Sequence, residues 1–123
     1  MADNGRPFHG GKTTLTDAGI KTPFILHWPR GISQRGSRQQ LISMLDLAPT
    51  LLDLAGLPLP DYLQGVSFSA TLVEPEVVVR EFAFAARNWH SNNAHQRAIR
   101  SLHYRYQENQ FPPHGECVNN LYQ

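Results

Sequence analysis

The sequence predicts an α/β fold, and three observations carry that expectation. Phe24-Ile25-Leu26 is a short continuous apolar run bounded by Pro23 and Pro29, the pattern of a strand buried on both faces. Leu47, Leu51, Leu54 and Ala55 recur at helical spacing, with Ala48 and Leu52 beside them, and make a broad apolar stripe. Residues 81–86 alternate in the manner of a strand, while 97–102 and 104–108 read as two antiparallel strands joined tightly near His103.

Taken in order, the chain begins with a loop. From Met1 to about Lys21 it is rich in Gly, Thr, Asp and Asn and has no periodicity. Pro23 to Trp28 is a strand rather than a helix, because the flanking prolines leave no room for helical turns. Residues 31–38 form a second polar loop, and Gln40 to Met44 a second short strand leading to Asp46. The Asp46 carboxylate is placed to accept from free N–H groups in the first turn of a helix over 47–55. Pro49 sits in that first turn, where a missing N–H costs little, and Gly56 ends the helix in the left-handed conformation. Pro58 and Pro60 forbid further helix, residues 59–63 are irregular, and Glu74 to Glu76 opens a linker. The tail from Phe111, with Pro112-Pro113 and Gly115, ends without a closing element, and no internal repeat is present. One helix cannot cover both faces of a doubly wound sheet. Uncovered strands would expose apolar surface and unpaired edges, so the element count predicts a piece of a larger domain.

Composition narrows the function classes. The 123 residues carry a net charge of +1 with neutral His and an apolar fraction of 41%, which suits a small soluble domain with a modest core. The basic residues are dispersed without a Lys or Arg run, so neither nucleic acid nor an anionic membrane surface is implied as a partner. No apolar stretch approaches the roughly 18 to 20 residues that span a bilayer, and Met1-Ala2-Asp3 does not open a secretory signal. Cys117 is the sole cysteine, so no intrachain disulfide forms.

Several motifs have ordinary readings when taken alone. Asn4-Gly5 is a hairpin-turn signal. Lys12, within Gly10-Gly11-Lys12-Thr13-Thr14, is a surface lysine on a loop. It is not part of a phosphate-binding loop, since that pattern needs a glycine where Arg6 stands. His9 is a solvent-exposed loop histidine, and His27 a core or rim side chain of the first strand. His90 and His95 would point about 140° apart on a helix, so they are no helical zinc pair. On a loop both could face a pocket, and an imidazole there could donate to an anion or leaving group. His90 packing against Trp89 is the equal alternative. Asp46 and Asp53 read as a helix cap and a solvated helix position. Arg97 and Arg100 fall on opposite faces of a strictly alternating strand and read as surface residues.

The order of these motifs resembles the second half of a sulfatase. The resemblance rests on Asp3-Asn4-Gly5, Gly10-Gly11-Lys12, Asp17-Ala18-Gly19-Ile20-Lys21-Thr22-Pro23, Trp28-Pro29, Asp46 through Gly56, and Gly65-Val66-Ser67-Phe68. Phe84 through His90 and His95 through Arg100 resemble the branch that includes N-sulfoglucosamine sulfohydrolases. The likeness is strong from Asp3 to Gly56, moderate from Gly65 to Arg105, and lost in the tail. Lys21 stands where an Arg is usual and Asp17 where Glu is common. Charge is kept, but Lys cannot reproduce an Arg fork.

The resemblance implies an alkaline-phosphatase-like sandwich, here incomplete. Residues 1–90 would be the carboxyl-terminal part of the catalytic domain with the end of its mixed sheet, and 91–123 the start of a small antiparallel subdomain. It implies Ca2+ held in part by Asp3 and Asn4, Lys12 as the catalytic cation against a substrate sulfate, and His90 on the sugar side. Calcium takes six to eight oxygen ligands, so these residues alone would bind it weakly. The family's formylglycine comes from a C-x-P-S-R or C-x-A-S-R motif, which this chain lacks; the surroundings of Cys117 do not match it. The implied function is therefore part of a sulfuric ester or sulfamate hydrolase acting on sulfated saccharides, inactive without a complementary amino-terminal half. A non-catalytic anion- or saccharide-binding module and a phosphatase or phosphodiesterase of the same superfamily remain the alternatives. The family is typically periplasmic, extracellular or lysosomal.

Overall fold

A strand pairs only where a neighbour supplies donors and acceptors, and that condition separates the elements that form here from those that do not. The computed structural model describes residues 2, 4–32, 35–90, 93–110 and 120–122. Asp3, Cys117 and the proline-rich stretch after Phe111 lie outside the described residues. The chain divides into two compact units, one of Met1–Leu26 with Phe84–Gln123 and the other of His27–Ala83.

In the first unit the opening loop contains one helical turn, α1 (Asp17–Ile20). The sheet holds four strands in the order β1 (Ala83–Trp89), β2 (Asn93–Arg100), β3 (Arg105–Asn109) and β4 (Asn120–Tyr122). The expected antiparallel pair is present as β2 and β3, with Arg100 opposite Arg105 and Gln96 opposite Asn109. Its tight connection is closed by the Ser101 amide donating to the Tyr104 carbonyl at 2.8 Å. The expectation of a tail without a closing element is corrected, because β4 pairs antiparallel with β3 and sets Arg105 opposite Tyr122. Among the described residues, Leu15, Ala94 and Ala98 are the buried apolar side chains of this unit. Alternation along β2 puts Ala94 and Ala98 on the face that carries Arg100.

The second unit is organised by α2 (Leu47–Leu54), which follows a 3-10 turn at Met44–Asp46, and includes the short α3 (Ala70–Val73). Gly56 ends α2 with φ 68°, and the Leu57 amide donates back to the Leu52 carbonyl at 2.9 Å, the expected glycine-terminated end. Asp46 differs from its expected role. Its side chain makes no cap bond to α2 and is fully buried. It accepts from the Ser43 amide at 2.8 Å, the Val66 amide at 2.8 Å and Arg80 Nε at 2.9 Å, with Arg80 Nη2 on its other oxygen. A buried carboxylate must have its lone pairs met, and these four donors meet them.

The helix packs through its polar face. Thr50 Oγ1 accepts from the Phe68 amide at 3.0 Å while donating to the Asp46 carbonyl, and Asp53 accepts from Ser67 Oγ at 2.6 Å. Positions 46, 50 and 53 share one face of the helix, so this stripe grips successive residues of the Gly65-Val66-Ser67-Phe68 element and buries Phe68. Asp53 is exposed, as expected, and is in addition a hydrogen-bonded anchor. The buried residues of α2 are Pro49 and Thr50, while of the apolar stripe Leu47, Leu52 and Leu54 are half-buried and Leu51 is 55% exposed.

Two expected strands are absent. Residues 23–28 and 40–44 contain no strand residues; Ile25 is 83% exposed, and Gln40 instead sends its amide to the carbonyls of Pro75 and Val77. The apolar runs favour extended chain, but no strand among the described residues pairs with them. Among the described residues no helix is long and apolar enough to cross a membrane.

Candidate functional site

The loop that carries Lys12 is built from backbone bonds. Its turn is closed by the Gly11 amide on the Phe8 carbonyl at 2.9 Å, the Lys12 amide on the Arg6 carbonyl at 2.8 Å and the Thr14 amide on the Gly11 carbonyl at 3.0 Å. Gly10 has φ 74°, and Thr13 has φ 80°. A left-handed backbone is ordinary for glycine and an outlier for a β-branched residue. Thr14 and Thr16 hydroxyls bind the Gly10 carbonyl at 3.0 and 2.7 Å, which fixes the inner wall of the turn. The Lys12 side chain is exposed.

Asn4-Gly5 does not form the hairpin turn that the dipeptide signals. Gly5 is buried, its amide donates to the Gly19 carbonyl at 3.0 Å, and a Cβ there would run into the backbone of Ala18 and Gly19. Glycine is needed for that close approach. Asn4 Nδ2 donates to the Gly5 carbonyl at 2.8 Å, which leaves Oδ1 as the atom able to accept from a donor or a cation. Such an amide oxygen fits one place in a calcium shell. Asp3 lies outside the described residues, and among the described residues no group of three or more His, Cys, Asp and Glu comes together.

Three arginines of the sheet hold the opening loop at every second residue. Arg87 of β1 donates to the Thr13 carbonyl, Arg105 of β3 to the Leu15 carbonyl at 2.9 Å, and Arg100 of β2 to the Asp17 carboxylate at 3.0 Å. Arg105 is buried. Lys12 and His90 therefore belong to one packed unit, with Thr13 next to the first and Arg87 three residues before the second. His90 is exposed, and its ring stacks against Trp89 with centroids 6.5 Å apart and planes inclined by 27°. His9 and His27 are exposed. His95 Nε2 lies 3.1 Å from Arg97 Nη2, and alternation places both on the face of β2 opposite the loop. Arg100 is an anchor and not the surface residue expected. The roles of Arg87 and Arg105 went unread, although an arginine at the inward parity of a strand is a signal in itself, since such a charge is buried only with partners.

Comparison with known proteins bears directly on this arrangement. The model of the N-sulphoglucosamine sulphohydrolase C-terminal family matches residues 9–112. The chain belongs to this family. The match takes in Lys12, Arg87 and His90 and begins after Asn4. An ulvan-active sulfatase of Formosa agariphila is 35% identical over 107 residues, covering 82% of this chain and 22% of that protein. Human N-sulphoglucosamine sulphohydrolase is 37% identical over 62 residues, covering 50% of this chain and 12% of that protein. The solved structure of a 2-O GAG sulfatase superposes with a TM-score of 0.58 at 29% identity, over 75% of this chain and 20% of that one. The chain thus spans about a fifth of these sulfatases' length where the likeness is longest. The sulfatase resemblance read from the motifs holds, as does the coarse α/β class.

Proposed function

We propose that this chain forms one wall of the sulfate site of a sulfuric ester or sulfamate hydrolase acting on sulfated saccharides. The observation that carries the reading is the bond from Arg87 to the Thr13 carbonyl. It ties the Lys12 turn to β1, which ends at Trp89 next to His90, so one cation and one imidazole are presented by a single unit. Lys12 would hold charge on the sulfate as the S–O or S–N bond breaks, and His90 would meet the sugar or donate to the leaving atom. Asp3 and Asn4 would hold calcium, which when bound would supply positive charge to the sulfate oxygens. A protein solved in complex with its substrate D-glucosamine-2-N,6-O-disulfate is similar in fold, with a TM-score of 0.53 at 22% identity, and an alkaline-phosphatase-like sandwich is the architecture we assign to the whole enzyme.

The 123 residues contain no formylglycine motif, so the chain needs a complementary amino-terminal portion for turnover. The exposed state of Lys12 and His90 favours a second reading, in which the chain binds a sulfated saccharide without cleaving it. A titration of the isotopically labelled full chain with N-sulfoglucosamine, in calcium, tests the site. The Lys12 and His90 signals should move together, and Lys12→Ala should weaken binding by about ten- to a hundredfold, in line with the roughly 1.5–3 kcal/mol of a charged hydrogen bond. Movement of neither signal overturns the reading. Release of sulfate from an aryl sulfate by the chain alone would instead defeat the requirement for a second portion.

A further inference from the structure

Thr13 is the conformational outlier of the opening loop, and it adjoins Lys12. A β-branched residue in the left-handed region places Cβ against its own carbonyl, so something must hold it there. The φ of 80° at Thr13 coincides with the bond from the Arg87 guanidinium to the Thr13 carbonyl. On its two sides the chain is also bonded, by the Lys12 amide on the Arg6 carbonyl at 2.8 Å and by Arg105 on the Leu15 carbonyl at 2.9 Å. Between those points, Thr13 is the one non-glycine residue with positive φ among the described residues, and it directly follows Lys12.

We infer that Arg87 is a positioning residue for Lys12, clamping Thr13 in the left-handed conformation so that the Lys12 ammonium is presented toward an anion. The inference rests on the reading of Lys12 as the sulfate-facing cation and adds the group that aims it. Strain held in place by surrounding bonds is characteristic of preorganised sites. A preformed turn spares the ordering cost that a flexible lysine would meet on binding. Arg87 itself stays out of contact with the anion, because its guanidinium faces the loop backbone.

Glycine supplies the test, since it adopts positive φ without the Cβ conflict. Arg87→Gln should raise the exchange rate of the Lys12 amide about tenfold, the factor set by releasing a left-handed non-glycine residue. Exchange in the β2–β3 ladder should stay unchanged. Adding Thr13→Gly to Arg87→Gln should restore Lys12 protection, which a merely structural arginine would not permit. Titration with sodium sulfate should follow the same order: binding at Lys12 in the parent chain, about tenfold weaker in Arg87→Gln, recovered in the double variant. Should Arg87→Gln fail to fold, Arg87→Lys is measured in its place, with the same expected loss and the same rescue. Unchanged Lys12 exchange, or no rescue by glycine, overturns the clamp. Clamp behaviour in exchange with no sulfate response in the parent chain overturns the sulfate reading of Lys12 and leaves the clamp standing.

Discussion

The residues with the clearest energetic roles are two carboxylates of the second unit, Asp46 buried and Asp53 exposed. Asp46 is fully buried and takes four donors. Asp46→Ala would leave Arg80 without its carboxylate and two amides without an acceptor, at a cost of about 3–5 kcal/mol. Urea denaturation followed on the second unit measures it, and a loss below about 1 kcal/mol would contradict the assigned role. Asp53 gives a pH prediction. The Ser67 hydroxyl first, and the Ser69 hydroxyl second, hold its carboxyl below the ordinary 3.8, with desolvation opposing them. A depressed pKa stabilises the fold above the unfolded value and loses that contribution as pH falls through the folded value. The window therefore lies below 3.8. Ser67→Ala should move the Asp53 titration upward, as read by carboxyl NMR, and an unmoved titration would exclude the Ser67 bond as the main cause.

At the scale of elements, α2 shows how a correctly placed helix can bury an unexpected face. Its Pro49 and its Gly56 terminus follow from local rules, and the helix observed is Leu47–Leu54, with Asp46 before it making no side-chain cap bond. The choice of face follows from what packs against it. Thr50 and Asp53 bind the Phe68 amide and the Ser67 hydroxyl, whereas Leu51 remains 55% exposed. Thr50→Val keeps the shape but leaves the buried Phe68 amide unsatisfied, so it should cost about 1–3 kcal/mol by thermal denaturation. A neutral outcome would mean that the Thr50–Phe68 bond contributes nothing to holding the 65–68 element. The β-strands were legible for a different reason. Period-two alternation identified β1, β2 and β3 to within a few residues, but β4 carried no alternation long enough to read and is visible only through its pairing with β3.

For the whole molecule, the exposed apolar residues are the dominant fact. Ile25 in the first unit and Leu51, Val73 and Val78 in the second each expose more than half their surface, and apolar side chains so exposed are open to a dye or a partner. The chain should bind the dye ANS more strongly than a closed domain does, and Ile25→Thr with Leu51→Gln should lower that fluorescence. Binding that ignores both substitutions would place the accessible apolar surface elsewhere. The family relation gives the exposure a context, since the chain spans 22% of the Formosa agariphila sulfatase.

The sequence by itself determined the family, the α2 helix and its ends, and the antiparallel β2–β3 pair, because motif order, helix punctuation and alternation are properties of neighbouring residues. Tertiary structure decided whether the apolar runs at 23–28 and 40–44 became strands, which face of α2 was buried, and what Arg87, Arg100 and Arg105 do. Each of those outcomes depends on a partner far away in the chain. A ladder requires a second strand, and a buried guanidinium requires an oxygen that only folding can bring to it.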